Sequence, residues 1–79
     1  IVNLKLENYE EAIADQIAVL DIDPNLAQAY YVRGEAEREL GKYSEAIADF
    51  EKAATLCEKQ GKLELAEKAK EAIEALGGR

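Results

Sequence analysis

Apolar residues recur at helical spacing along nearly the whole chain, in four runs separated by turn-forming residues. The first holds Tyr9, Ala12, Ile13, Ile17, Val19 and Leu20, with Gln16 among them, and stops at Asp23-Pro24. The second holds Leu26, Ala29, Tyr30, Val32, Ala36 and Leu40. Gly41 follows it and supplies a left-handed residue after the last turn. The third starts near Tyr43, carries Ala46, Ile47, Phe50, Ala53, Ala54 and Leu56, and weakens at Gln60-Gly61. The last, over residues 62–76, sets Leu65, Ala69, Ala72, Ile73 and Leu76 on one stripe, with Glu67, Lys68, Lys70, Glu71 and Glu74 mainly opposite. Residues 1–6 read as the end of an earlier helix. Asn8 then offers an N-cap with Glu11 three residues on, and Asn25 offers another with Gln28. Nothing alternates as a strand does, and connections of about two to five residues make neighbouring helices antiparallel. The pattern predicts an all-α chain.

Residues 6–15 return thirty-four positions later as residues 40–49, with seven of ten identical: Leu6/Leu40, Tyr9/Tyr43, Glu11/Glu45, Ala12/Ala46, Ile13/Ile47, Ala14/Ala48 and Asp15/Asp49. A fixed offset of that size marks a stacked helical repeat, in which one unit cannot bury its apolar face until the next covers it. A chain of 79 residues makes one small domain, burying about 60% of its extended surface. Lys and Arg number 10 against 17 Asp and Glu, which argues against nucleic acid, whose binding rests on cationic side chains. Cys57 stands alone, so no internal disulfide forms, and a reducing, cytoplasmic setting is the expectation. No apolar run approaches the ~18 residues of a membrane span, so no membrane partner is expected. The chain begins at Ile1 rather than methionine, in what reads as mid-helix, and is expected to be a fragment of a longer one.

Residues 27–54 resemble a tetratricopeptide repeat, a helix–turn–helix unit of 34 residues. The resemblance runs through Tyr30, Gly34, Ala36, Leu40-Gly41, Tyr43, Ala46-Ile47, Phe50 and Ala53. Residues 6–24 resemble the second half of a preceding repeat through Tyr9, Ala12-Ile13, Leu20 and Pro24. The resemblance implies antiparallel helix–turn–helix units stacked as a short right-handed α-solenoid. It divides the single domain into a partial repeat (1–24), a complete repeat (25–58) and a terminal capping helix (62–76). Gly34 and Ala46 are small where the paired helices should cross, and Phe50 and Tyr30 fill the volume beside them. The departures are Arg33 and Glu37, where the family commonly has leucine and tyrosine, Gln16 opposite Phe50, and Glu58 opposite Pro24. The last helix fits with two residues inserted, pairing Ala29 with Leu65, Ala36 with Ala72 and Leu40 with Leu76.

In this family the first helices of successive repeats line a concave groove that takes a peptide. Carried over, the resemblance nominates Leu4 and Lys5, then Gln28, Tyr31, Glu35, Arg38 and Glu39, then Lys62 and Leu65. An alternative register of the last helix nominates Glu64, Glu67 and Lys68 instead. Tyr31 leads, because it and Tyr30 cannot both face the core; the alternative is that it packs on a neighbouring helix. Arg38 with Glu35 and Glu39 either reads a charged peptide or forms solvated helix pairs. The clamp by which some family members grip acidic chaperone tails is not reproduced. Its asparagine positions hold Ile1 and Val32, its last arginine is Ala66 or Lys68 by register, and Lys62 alone fits, in one register only.

Other chemistry is sparse. With no histidine and one cysteine, no structural metal site assembles, and Cys57 reads as a packing residue. Asp21 and Asp23 lack the spacing and glycine of a calcium loop and read as turn residues. Ser44 and the pair Glu10/Glu11 offer no base–nucleophile arrangement. The expected function is a protein-interaction module, with no cofactor and no enzymatic activity. The alternative is a structural module that self-associates into a homo-oligomer through its incomplete N-terminal end.

Overall fold

The computed structural model describes the backbone of residues 2–77 and the side chains of residues 8–77. The described residues form four α-helices: α1 (Val2–Ile22), α2 (Ala27–Glu39), α3 (Tyr43–Gln60) and α4 (Leu63–Ala75). Each packs on the next, α1 on α2, α2 on α3 and α3 on α4, as stacked repeats require. The chain is all-α and the predicted helices stand within two residues of their expected ends, with one exception. Residues 1–6 were expected to close an earlier helix before an Asn8 cap, yet α1 runs unbroken from Val2 through that point. The second copy breaks at Leu40-Gly41, where Gly41 adopts φ 81°. Its counterpart is Glu7, which gains nothing from a left-handed turn and continues the helix.

The turn between α1 and α2 is built by Asp23 and Pro24 rather than by an Asn25 cap. The Leu26 amide donates to the Asp23 carbonyl at 3.2 Å, closing a β-turn with proline at its second position. The Asn25 amide donates to the Asp23 carboxylate at 3.2 Å, and Leu26 becomes the residue before α2. Gln60, at the end of α3, donates its side-chain amide to the Asn25 carbonyl at 2.8 Å. This clasp ties the first turn to the far end of the next repeat.

The core lies on both sides of α3. Ala46, Phe50 and Ala53 are wholly buried, with Ala69 and Ala72 of α4 covering them and Tyr30 and Tyr31 of α2 beside them. A second cluster joins Ala27, Leu56, Cys57 and Ala66, with Leu65 packed against it. Alanine dominates because axes that approach closely leave no room for larger side chains. Gly34 shows the limit: a Cβ there would sit 2.9 Å from the Phe50 ring. Cys57 is fully buried, and burial pushes its thiol pKa up. It is a packing residue.

A polar cluster interrupts this core. The Arg33 guanidinium donates two bonds to Asp49, Nε at 2.8 Å and Nη2 at 2.7 Å, and lies 5.4 Å from the centre of the Tyr30 ring. Glu37, one turn beyond Arg33, is only 8% exposed, and its Oε1 has no hydrogen-bond partner. Burial first, then the adjacent Asp49 carboxylate, push the Glu37 pKa up to about 8. Glu37 therefore carries its proton at neutral pH. Arg33 and Glu37, which depart from the family's usual residues, thus meet at one place on the α2–α3 interface.

Candidate functional site

Gln28, Tyr31, Glu35 and Arg38 follow one another at three- and four-residue intervals and share a face of α2. Tyr31 is half-buried, its ring tilted 58° against Phe50 with centroids 5.4 Å apart. It therefore joins both readings, packing on α3 with its ring while its hydroxyl end meets charged neighbours. Burial raises the hydroxyl pKa, the Glu35 carboxylate raises it further, and Arg38 opposes while Glu71 of α4 adds to the rise. Tyr31 packs against a cluster that includes Ala69 and Ala72 of α4, which brings it near the part of that helix that carries Glu71. Glu67, Lys68 and Glu74 share Glu71's side of α4 by helical spacing, and all are exposed. Arg38 lies 3.7 Å from Glu39 and is partly neutralised by it.

Two depressions open on this surface. One, of about 300 Å³, lies between α1 and α2 and is floored by Tyr9, Ala12, Val32 and Ala36, with Glu35, Arg38 and Glu39 at its rim. The other, of about 490 Å³, is formed by Arg38 and Glu39 with Tyr43 of α3 and Ala75 and Leu76 at the end of α4. Arg38 and Glu39 belong to both, so the two meet at the C-terminal end of α2. Tyr43 keeps 54% of its surface exposed.

The nominated residues divide into groups. Gln28, Glu39 and Lys62 are exposed, and Glu35 and Arg38 are half-buried. Lys62 takes the position just before α4 and makes no capping bond with its side chain. Leu65 packs into the Ala27, Leu56, Cys57 and Ala66 cluster instead of facing outward. The residues of the alternative register, Glu64, Glu67 and Lys68, are all exposed. The side chains of Leu4 and Lys5 lie outside the described residues. Glu71, Tyr43 and Leu76 were not nominated. Glu71 was within reach of sequence reasoning, being four residues beyond Glu67, whereas Tyr43 and Leu76 were absorbed into apolar stripes. Among the described residues no group of three or more His, Cys, Asp or Glu side chains is placed to hold a metal ion, and no helix is long and apolar enough to cross a membrane.

Comparison with known proteins bears on this geometry. Tetratricopeptide-repeat family models match residues 27–59 and residues 2–26. The chain is 37% identical over 59 residues to a DnaJ homolog subfamily C member 7 homolog of Dictyostelium discoideum, covering 75% of this chain and 11% of that protein. It is 33% identical over 72 residues to serine/threonine-protein phosphatase T of Trypanosoma brucei brucei, covering 86% of this chain and 15% of that protein. Protein unc-45 homolog B of Xenopus laevis is 40% identical over 53 residues, 67% of this chain and 6% of its own length. The chain thus spans a small part of each relative. No solved structure matches it. Two adjoining repeat matches at the period read from the residues, on helices stacked in chain order, place this chain in the tetratricopeptide-repeat family.

Proposed function

We propose that the domain holds a peptide segment of a partner protein along the shared face of α2 and α4. The observation that carries this reading is the half-buried Tyr31, packed between Phe50 and the Ala69–Ala72 stripe of α4, on the same helix as Arg38 and Glu39, which share a depression with Tyr43, Ala75 and Leu76. Repeats of this family are generally protein-interaction units, and this face offers an aromatic anchor, flanking charge and a recess, the usual elements of a binding hot spot. Chemistry of its own is not part of the proposal. The chain has no histidine, its thiol is buried and protonated, and its most perturbed carboxyl, Glu37, is sealed beneath side chains. The reducing cytoplasm is the setting in which we place it.

Peptides selected by display against the immobilised domain provide the test. Binding of the selected sequences should fall at least tenfold with the charge-reversing pair Glu35→Lys and Arg38→Glu. It should change less than twofold with Glu51→Lys on the outward side of α3. Selected peptides indifferent to the first pair would remove the groove from consideration.

A second reading is favoured by α1 alone. Ile17 and Ile22 keep 52% and 86% of their surface exposed there, and Ala12 and Gln16 are half-exposed. Self-association through α1 would cover them. Sedimentation should then show a dimer that Ile17→Glu converts to monomer; a monomer at all concentrations would dismiss this reading.

A further inference from the structure

We infer that the segment held on this face is basic, with a lysine or arginine seated on Tyr31 between Glu35 and Glu71 and an apolar side chain in the Tyr43–Leu76 depression. This rests on the groove reading above and specifies its occupant. Charge complementarity is the argument. Among the residues that helical spacing groups with Tyr31 on α2 and with Glu71 on α4, Glu35, Glu39, Glu67, Glu71 and Glu74 outnumber Arg38 and Lys68, and Arg38 is already drawn to Glu39. A carboxylate ligand would be repelled here, while an ammonium or guanidinium gains two carboxylates and the electron-rich face of a tyrosine. Half-burial of Tyr31 lowers the effective dielectric around such a contact and strengthens it.

Spacing supports the second half of the motif. Arg38, at the rim of the depression, lies seven residues along α2 from Tyr31, or about 10 Å at the helical rise. An extended chain covers that distance in roughly three residues. Lysine or arginine followed three positions later by leucine, isoleucine or phenylalanine therefore fits both features at once. The depression, about 490 Å³ and open, admits one such side chain against Tyr43, Ala75 and Leu76.

Three fluorescein-labelled decapeptides in a Gly-Ser background test the inference by anisotropy against the full 79-residue chain. The first carries Lys-x-x-Leu, the second Glu-x-x-Leu and the third Lys-x-x-Ser. The first should bind at least tenfold more tightly than the second and fivefold more tightly than the third, and should weaken as salt rises. Glu35→Gln with Glu71→Gln should cost the first probe at least fivefold without moving the melting midpoint. Glu10→Gln with Glu51→Gln, the same charge change on outward faces, should cost less than twofold. Equal losses from the two pairs would mean that net charge alone attracts the probe and would overturn the inference. Preference for the glutamate probe, still dependent on residues 35 and 71, would also overturn it while leaving the groove standing. If no probe binds, the basic motif is wrong, and the display-selected peptides decide separately whether the groove survives.

Discussion

Helices α1 and α3 carry the same motif, residues 6–15 in one and 40–49 in the other, yet they end in different environments. In α3, Ala46, Phe50 and Ala53 are wholly buried. In α1 the counterparts Ala12, Gln16 and Val19 stay half-exposed, and Asp15 is exposed where Asp49 is buried under Arg33. The difference lies in the neighbours. Helix α3 is packed by α2 on one side and α4 on the other, whereas among the described residues the extensive packing of α1 is on α2. A repeat motif therefore sets the helix and its stripe, and the burial of that stripe is set by what stacks on it. Gln16 in place of Phe50 fits this, since a large apolar side chain half-exposed to water has little to gain.

The sharpest break of that comparison is truncation at matched positions. Phe50→Ala should cost about 3–5 kcal/mol, enough to unfold much of a domain this small. Gln16→Ala should stay within about 0.5 kcal/mol. Urea denaturation followed by circular dichroism measures both, and equal costs would refute the two-environment account. The polar cluster between α2 and α3 gives the next effect. Glu37 keeps its proton in the fold up to about pH 8 but ionises near 4.5 when unfolded. Between those values the folded chain binds the extra proton, so stability should fall as pH rises through the window. Glu37→Gln should flatten this slope and raise the melting temperature at pH 8.5 while changing little at pH 4.5. An unaltered slope would show that burial and the Asp49 carboxylate do not act on Glu37 as described.

Gly34→Ala should follow. Overpacking against Phe50 costs about 1–3 kcal/mol, offset by about 1 kcal/mol of helix propensity, so a modest net loss is expected by urea titration. Pairing it with Phe50→Leu should recover the alanine's propensity gain, because the flat ring that blocks the Cβ is gone. The smallest effect belongs to Lys70→Ala, which removes an exposed pair with Glu58 between α4 and α3. Its change in melting temperature should lie within error, since such pairs are screened by water and salt.

Most of the architecture was legible in the residues. The 34-residue offset, the stop at Pro24, the left-handed glycine at Gly41 and the small residues facing Phe50 all follow from local rules and survive in the structure. What escaped depended on tertiary partners. Asn25 has a good cap composition, but the turn closed by the Leu26 amide on the Asp23 carbonyl leaves Leu26 as the residue before α2, and Gln60 could be placed at that turn only once α3 was laid against it. Arg33 and Glu37 stood out as unusual residues, but their meeting with Asp49 depends on how α2 and α3 align. The inward turn of Leu65 likewise depends on the register of α4, where two inserted residues left two assignments open. On α2, Tyr31, Glu35 and Arg38 were nominated by the family resemblance, while Glu71 was missed although it lies one turn beyond Glu67 on α4.

The central functional claim, that α2 and α4 together present the binding face, is tested most directly by amide-resolved nuclear magnetic resonance during titration of a display-selected peptide into the labelled domain. The account predicts the largest shift changes at Tyr31, Glu35 and Glu71, extending to Arg38 and Leu76. Changes confined to outward residues of α1 and α3, such as Asp15 and Glu51, would contradict it.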